Sequence, residues 1–453
     1  MTTAPRARVP DALILLTGCV LIAAVASWLL PAGEFERRED AATGRMVVVA
    51  GTYQQVEQSP VGPFDALVAL PVGMAQAADV IFLVFLIGGA FMVIDETGTL
   101  RRAMGSLVRA LRGRDLLVIP IVSLFFGLGG VTQNMQEEIV ALIPVLLLLT
   151  VRLGFTPLVA VAMSAGAAFV GSAFSPINPF QVLIAQRVAD LPPGSGAGFR
   201  TVFLLLAMAI WVGFTMRHAS VTRVAAVDAP QPGDTPADAL TGRDRLVLGM
   251  VAATFAAVVW GLMSQAWGFD QLSAAFFLTG VSAGLVSGMG LDGTAKAYAK
   301  GFREMAYAAL LIGFARAIFV VLDQGRIIDT IVYGLFVPLE GLPPLVSALG
   351  MVGAQALVHV PVPSVSSQAV LTMPLLVPLS DLLELPRQVT VLAYQVGAGL
   401  CDILTPTNGA LMAILAASGV RYDQWLRFAV PLYLALVALG AIAIAVAVAI
   451  GLS

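Results

Sequence analysis

The sequence predicts an all-α polytopic membrane protein: about nine transmembrane helices and two re-entrant hairpins, arranged as two inverted-topology repeats with broken helices. Three observations predict it. Of 453 residues, 58% are hydrophobic and 12% charged, with a mean hydropathy of +0.91; a soluble domain carries about 25% charged residues. Apolar runs long enough to span recur from end to end, as in a polytopic chain rather than an anchored enzyme. Several of these runs are interrupted by short polar segments at matching places.

In chain order, the unbroken runs are Ala12–Leu30, Ala75–Ile94, Thr201–Met216, Leu246–Met263, Leu272–Val286, Met305–Leu322 and Phe428–Ile450. The first is long enough to span and reads as a retained helix rather than a cleaved signal. Pro157–Val188 and Val389–Ala417 are apolar but broken at Ser175-Pro176 and Thr405-Pro406. Leu116–Leu153 and Leu345–Leu385 are apolar at both ends and polar in the middle, at Thr132–Glu138 and Pro361–Gln368. An arm such as Leu116–Val131 rises only ~24 Å as a helix, short of the ~30 Å hydrocarbon core. Both stretches therefore read as hairpins with polar tips inside the membrane.

The distribution of basic residues agrees, because cytoplasmic loops are enriched in Lys and Arg. With returning hairpins the N-terminus is inside and the C-terminus outside. Arg6, Arg8, Arg101, Arg102, Arg109, Arg112, Arg114, Arg217, Arg223, Arg243, Arg245, Lys296, Lys300, Arg303, Arg421 and Arg427 then fall inside. Outside fall only Arg37, Arg38, Arg45, Arg187, Arg200, Arg326 and Arg387. The Pro- and Gly-bearing stretch Val221–Asp244 reads as a cytoplasmic connection between halves.

A shift of about 230 residues superposes those halves: Ala90–Asp95 on Ile318–Asp323, Val140–Pro144 on Val370–Pro374, and Pro176-Ile177-Asn178 on Pro406-Thr407-Asn408. An odd number of crossings separates the copies, so they are inverted. The expected organisation is 1–74, an N-terminal span, external loop and interfacial segment; 75–216, the first repeat, with hairpin 116–153 and broken helix 157–188; 217–304, the linker and scaffold spans; and 305–453, the second repeat, with hairpin 345–385 and broken helix 389–417. Inverted repeats with broken helices mark secondary transporters, whose sites lie near the midplane where the breaks meet.

The chain holds three asparagines, Asn134 at a hairpin tip and Asn178 and Asn408 at the breaks. Asparagine is costly against lipid, and irregular backbone at depth is tolerated where it lines a cavity or is buried in protein. Capping of the broken helices is the alternative, but it leaves the absence of asparagine elsewhere unexplained. The expected substrate site comprises Asn134, Glu137, Ser175, Asn178, Arg316, Ser364, Ser366, Ser367, Thr407 and Asn408. Gln133, Asn134, Asn178, Asp402, Thr405 and Asn408 are the candidates for a coupling ion, Na+ or H+. Half-helix N-termini would hold an anionic group.

Arg316 sits mid-span, where an ionisable side chain is a functional candidate; a structural pair with Asp402 or Glu137 is the alternative. Of Glu137 and Glu138, one is expected to face the site and the other to pair with a neighbour such as Arg152. Histidine is the side chain able to titrate near neutral pH, but a lone His such as His359 is more often a satisfied hydrogen-bonding residue, and His218 reads as interfacial. Cys19 and Cys401, both in apolar runs, read as inert packing residues.

The net charge of −3 argues against nucleic acid as a partner. There are no paired metal-ligand histidines, no G-x-S-x-G and no P-loop, so neither an enzyme nor an ATP-driven pump is expected. No cofactor is expected beyond a coupling ion.

Several stretches resemble the YfcC family of the C4-dicarboxylate carrier (DcuC-type) group, in the ion-transporter superfamily: Trp28–Phe35 (WLLPAGEF), Leu311–Ile328, Pro363–Pro378, Ser175–Phe180 and Met135–Pro144. The resemblance implies a bacterial inner-membrane carrier, a homodimer working by an elevator motion between scaffold and transport domains. It also implies Na+ sites at the hairpin tips. Superfamily relatives often carry Ser-Asn-Thr there, whereas these tips read Thr-Gln-Asn and Pro-Ser-Val-Ser-Ser.

The function expected is secondary active transport of a small carboxylate-bearing solute, an amino acid in preference to a C4-dicarboxylate. The preference rests on charge: a dianion facing an ionised Glu137 about 4 Å away is repelled by ~4 kcal/mol at an effective dielectric of 20. A passive channel is the alternative from another class.

Overall fold

The computed structural model describes residues 11–40, 45–100, 102–103, 106, 114–224, 240–264, 267–339 and 341–452. Most of the linker Val221–Asp244, and Arg6, Arg8, Arg101, Arg109 and Arg112, lie outside them.

The chain is helical nearly throughout. α1 (Ala12–Leu29) leads into two small antiparallel pairs, β1 (Gly33–Glu34) with β4 (Gln54–Gln55) and β2 (Arg37–Asp40) with β3 (Arg45–Val48). Helix α2 (Pro63–Gln76) starts on proline at its first turn, where the missing N–H costs nothing. One face of it packs closely on the protein: a Cβ on Gly73 would stand 2.6 Å from the backbone nitrogen of Ala317. α3 (Ala78–Glu96) follows at once.

The first hairpin is α4 (Val118–Gln133) and α5 (Glu137–Arg152), turning at Asn134, whose φ of 54° is one of the few left-handed non-glycine conformations. With the preceding turn, α4 is a 19-residue apolar helix over Asp115–Gln133, about 29 Å long. Length alone therefore does not forbid it to cross, contrary to the ~24 Å estimate. Both ends of the hairpin meet one arginine, so the chain returns to the side from which it entered. Arg223 pairs with Asp115 at 3.3 Å and lies over the Phe155 ring at 5.1 Å, while Val224 N donates to Gly154 O.

The first broken helix is α6 (Pro157–Ala173), with a π-turn over Ala162–Gly166, and α7 (Val182–Val188). α4 docks on α6 through glycine: a Cβ on Gly130 would stand 2.0 Å from Ala168 O, and one on Gly171 2.1 Å from Gly127 O. Only glycine lets the backbones approach so closely.

α8 (Ala197–Val221), α9 (Gly242–Ser264), α10 (Phe269–Val286) and the 35-residue α11 (Gly290–Gln324) come next. After the short α12 (Ile328–Phe336), the second hairpin is α13 (Pro344–His359) and α14 (Val365–Leu382). The second broken helix is α15 (Arg387–Tyr394), running into a π-turn at Gln395–Gly399, and α16 (Gly409–Ser418); α17 (Tyr422–Ile450) ends the chain. Each broken helix thus carries a π-turn shortly before its break, a feature frequent at functional sites.

Among the described residues, eight helices are long and apolar enough to cross a membrane, two of them being the hairpin arms Asp115–Gln133 and Val365–Leu382. The chain is an all-α, multi-pass membrane protein. An ion pair with a buried carboxylate fastens one end: Arg102 donates to both oxygens of Asp244 at 2.6 and 2.8 Å, and Thr99 and Thr241 donate to the same carboxylate. At another end Asp329 accepts from Arg37 and from Phe35 N, tying the strand segment to the start of α12.

Candidate functional site

Both hairpin tips and the second break open onto one cavity of about 1100 Å³. The first tip brings Thr132, Gln133, Asn134, Gln136, Glu137 and Glu138; the second brings Val362 to Ser367; the break brings Asp402 and Thr407 to Ala410. Gln76 and Asp79 line it from the junction of α2 and α3, and Arg316 and Phe319 from α11. These elements end here because their sequences stop them: Asn134 takes the left-handed turn, while Ser364 and Asn408 cap α14 and α16 by accepting from Ser367 N and Leu411 N.

Of the expected site residues, Gln133, Asn134, Glu137, Arg316, Ser364, Ser366, Ser367, Asp402, Thr407 and Asn408 line the cavity. Ser175, Asn178 and Thr405 do not; all three are buried behind it. Asn178 Nδ2 donates to Gly130 O at 2.8 Å and its Oδ1 accepts from Phe180 N. Ser175 Oγ donates to Val131 O and accepts from Asn178 N. The first break thus clasps the end of α4. Thr405 is bonded to Thr407, which donates to Val360 O and clasps the second hairpin likewise. Asn134 Oδ1 accepts from Ser172 at 2.5 Å.

Arg316 is not a structural partner of Asp402 or Glu137. Its Nε donates to Gln76 Oε1 at 3.0 Å and its guanidinium lies over the Phe319 ring at 4.7 Å. It is exposed although mid-helix, because the cavity reaches it. Glu138 does not pair with Arg152. The two stand at opposite ends of α5, about 21 Å apart, and Glu138 Oε2 accepts from Gln136 N instead. His218 packs edge-on against Phe428. Cys19 and Cys401 are free thiols, the first half-buried and the second buried.

Gln76 and Asp79 were not foreseen, although an Asp inside the run Ala75–Ile94 was a visible signal. A buried network was also unforeseen. Asp402 accepts from Gln136 Nε2 at 2.9 Å and Asn408 Nδ2 at 2.6 Å, and Asn408 Nδ2 also donates to Gln136 Oε1. The tip of the first hairpin is thereby bonded to the second break. His359, wholly buried, meets Asp402 Oδ1 through Nε2 at 2.8 Å. A second tie joins the first break to the π-turn of the second broken helix: Gln395 Nε2 donates to Ser175 O and its Oε1 accepts from the buried Arg200.

The sequence matches the family described as the C4-dicarboxylate anaerobic carrier, DcuC, over residues 9–449. It is 33% identical to the Escherichia coli (strain K12) protein named "Putative basic amino acid antiporter YfcC", covering 93% of each chain. It is 31% identical to a protein of Haemophilus influenzae, covering 89% of this chain and 82% of that one. Among solved structures, the Alcanivorax borkumensis YdaH transporter gives a TM-score of 0.44 at 17% identity over 98% of this chain and 99% of that one. Neisseria gonorrhoeae MtrF gives 0.39 at 19%, over 96% and 95%. The chain is a multi-pass membrane transporter and belongs to the DcuC family of C4-dicarboxylate anaerobic carriers.

Proposed function

We propose that this transporter is a secondary active carrier of an amino acid with a basic side chain, moved across the inner membrane by an elevator-type alternating-access mechanism. The observation that carries the substrate class is the charge on the cavity wall. Asp79, Glu137, Glu138 and Asp402 line it, against the single guanidinium of Arg316. A C4-dicarboxylate brings two negative charges to that wall, and each contact at about 4 Å with an ionised carboxylate costs ~4 kcal/mol at an effective dielectric of 20. An amino acid presents one carboxylate, for Arg316 or the N-terminus of α14, and ammonium groups for the acidic side. The name of the Escherichia coli relative points the same way. The family description favours the second reading, a C4-dicarboxylate.

Alternating access is supported by the way the hairpins enter. The ends of the first lie at Arg223, where α6 begins; the second returns to Arg387, which donates to Ala189 O beyond the end of α7. The broken helix separates these two places, so the hairpins enter from opposite ends, as inverted repeats require.

Counterflow in proteoliposomes tests the proposal. Vesicles loaded with unlabelled L-arginine should transiently concentrate labelled L-arginine, which a passive channel cannot do, while fumarate-loaded vesicles should not concentrate fumarate. Counterflow of fumarate alone would establish the dicarboxylate reading.

A further inference from the structure

The polar network behind the cavity fixes the position of one proton, because its amides are anchored to backbone groups. Gln368 Nε2 donates to the carbonyl of Gln355 at 2.7 Å, so its Oε1 is the atom facing His359 Nδ1 at 2.8 Å. Gln355 confirms this orientation from the other side. Its Nε2 donates to Thr372 Oγ1, whose hydroxyl is committed to Gln368 O, and its Oε1 accepts from Gln368 Nε2. Facing an acceptor, Nδ1 carries a hydrogen. The second ring nitrogen faces Asp402 Oδ1 at 2.8 Å. Without a proton between them, two acceptors would be opposed in a wholly buried site.

The carboxylate is anchored as firmly. Asn408 Oδ1 accepts from Leu411 N, which turns its Nδ2 toward Asp402 Oδ1 and Gln136 Oε1, and so turns Gln136 Nε2 toward Asp402 Oδ2. Asp402 thus receives an amide donor on each oxygen, as an ionised carboxylate does. The proton therefore belongs on the ring.

We infer that His359 and Asp402 form a proton-carrying site and that the carrier exchanges protons for a cationic substrate. This inference rests on the amino-acid reading given above. His359 is sealed in the protein, whereas Asp402 borders the cavity, so the pair joins the interior to the transport path. The ionisable groups that share this cavity wall with Asp402 are Glu137 and Glu138 on α5, Asp79 on α3 and Arg316 on α11, with the Cys401 thiol beside it. When the proton leaves, the Nε2–H bond breaks and an O–H bond forms on a water from the cavity. The ring becomes neutral, and Nε2 and Asp402 Oδ1 are left as opposed acceptors, a cost that binding of a cation beside Asp402 must offset. An ammonium group in the cavity then neutralises what the proton neutralised before. Proton and substrate are alternative partners of the same carboxylate, which is the condition for exchange rather than co-transport.

Two measurements test this. His359 and His218 are the only histidines; in His218→Gln, ¹⁵N-histidine NMR reads the ring of His359 alone, without any substrate. Protons on both nitrogens at pH 7, lost in Asp402→Asn, are expected, and a neutral ring in His218→Gln overturns the inference. In proteoliposomes clamped at zero membrane potential, an interior-acid gradient should accumulate labelled L-arginine about tenfold per pH unit for one-for-one exchange, and a sodium gradient should not. L-Arginine counterflow that no pH gradient drives, or that an interior-alkaline gradient drives, overturns proton exchange. A doubly protonated ring without L-arginine counterflow retains the proton site and removes the amino-acid reading instead.

Discussion

Arg316 is stacked on Phe319, its guanidinium carbon 4.7 Å from the ring centroid, with Nε held by Gln76. It makes no ion pair among the described residues, which leaves its remaining donors turned to the cavity for a substrate carboxylate. Replacing it with Ala should raise KM for L-arginine by about 10- to 100-fold, the worth of one charge-assisted hydrogen bond. Lysine should not restore the loss, because an ammonium reproduces neither the planar stack nor the fork of donors. Unchanged KM in Arg316→Ala would remove it from the site.

Glu137 and Glu138 are inequivalent. Glu138 accepts from Gln136 N and so helps hold the turn, while Glu137 is the carboxylate assigned here to the substrate's ammonium. Glu137→Gln should weaken binding of L-arginine at least tenfold and Glu138→Gln by less, read by titration calorimetry. The reverse order would exchange their roles.

Asn178 and Asn408 should part company. Asn178→Ala leaves Phe180 N–H without its side-chain acceptor and removes the tie to the Gly130 carbonyl, which keeps only Asn134 N, a loss of about 1–3 kcal/mol, so the melting temperature should fall while KM of the folded fraction stays put. Asn408→Ala removes a cap worth ~1 kcal/mol and also two donor contacts at the cavity wall, so transport should suffer beyond any loss of stability. Equal effects on both properties in the two variants would contradict the geometry.

The returning hairpin is open to labelling. In a chain with Cys19 and Cys401 replaced by Ala, cysteines at Asp115 and Thr156 should react with an impermeant thiol reagent from the same side, the cytoplasm, and one at Ser195 from the other. Labelling of the first two from opposite sides would mean that the segment crosses.

The parts of this arrangement that were legible in the sequence are those where polarity interrupts an apolar run. Asn134, Ser364 and Asn408 marked two tips and a break because each lies in a short polar cluster flanked on both sides by apolar runs. The direction of each side chain was not legible. Residues Ala162–Ala173 are buried on every face, so no amphipathic stripe tells which way Ser175 and Asn178 point, and both turn to the backbone of α4. The partner of His359 was hidden for another reason. Asp402 lies 43 residues away, and only the packing of the second hairpin on the break joins them. Asp79 escaped notice because an otherwise apolar run absorbed it.

Selection of a cationic amino acid over a dianion by the cavity is tested by ligand-induced thermal stabilisation of the purified protein. A ligand that binds only the folded state at 100 times its Kd adds about 2.7 kcal/mol of stability. L-Arginine or L-lysine should raise Tm in a saturable way at pH 7, and succinate and fumarate at the same concentration should leave it unmoved. Stabilisation by succinate or fumarate with no shift from either amino acid would contradict the claim.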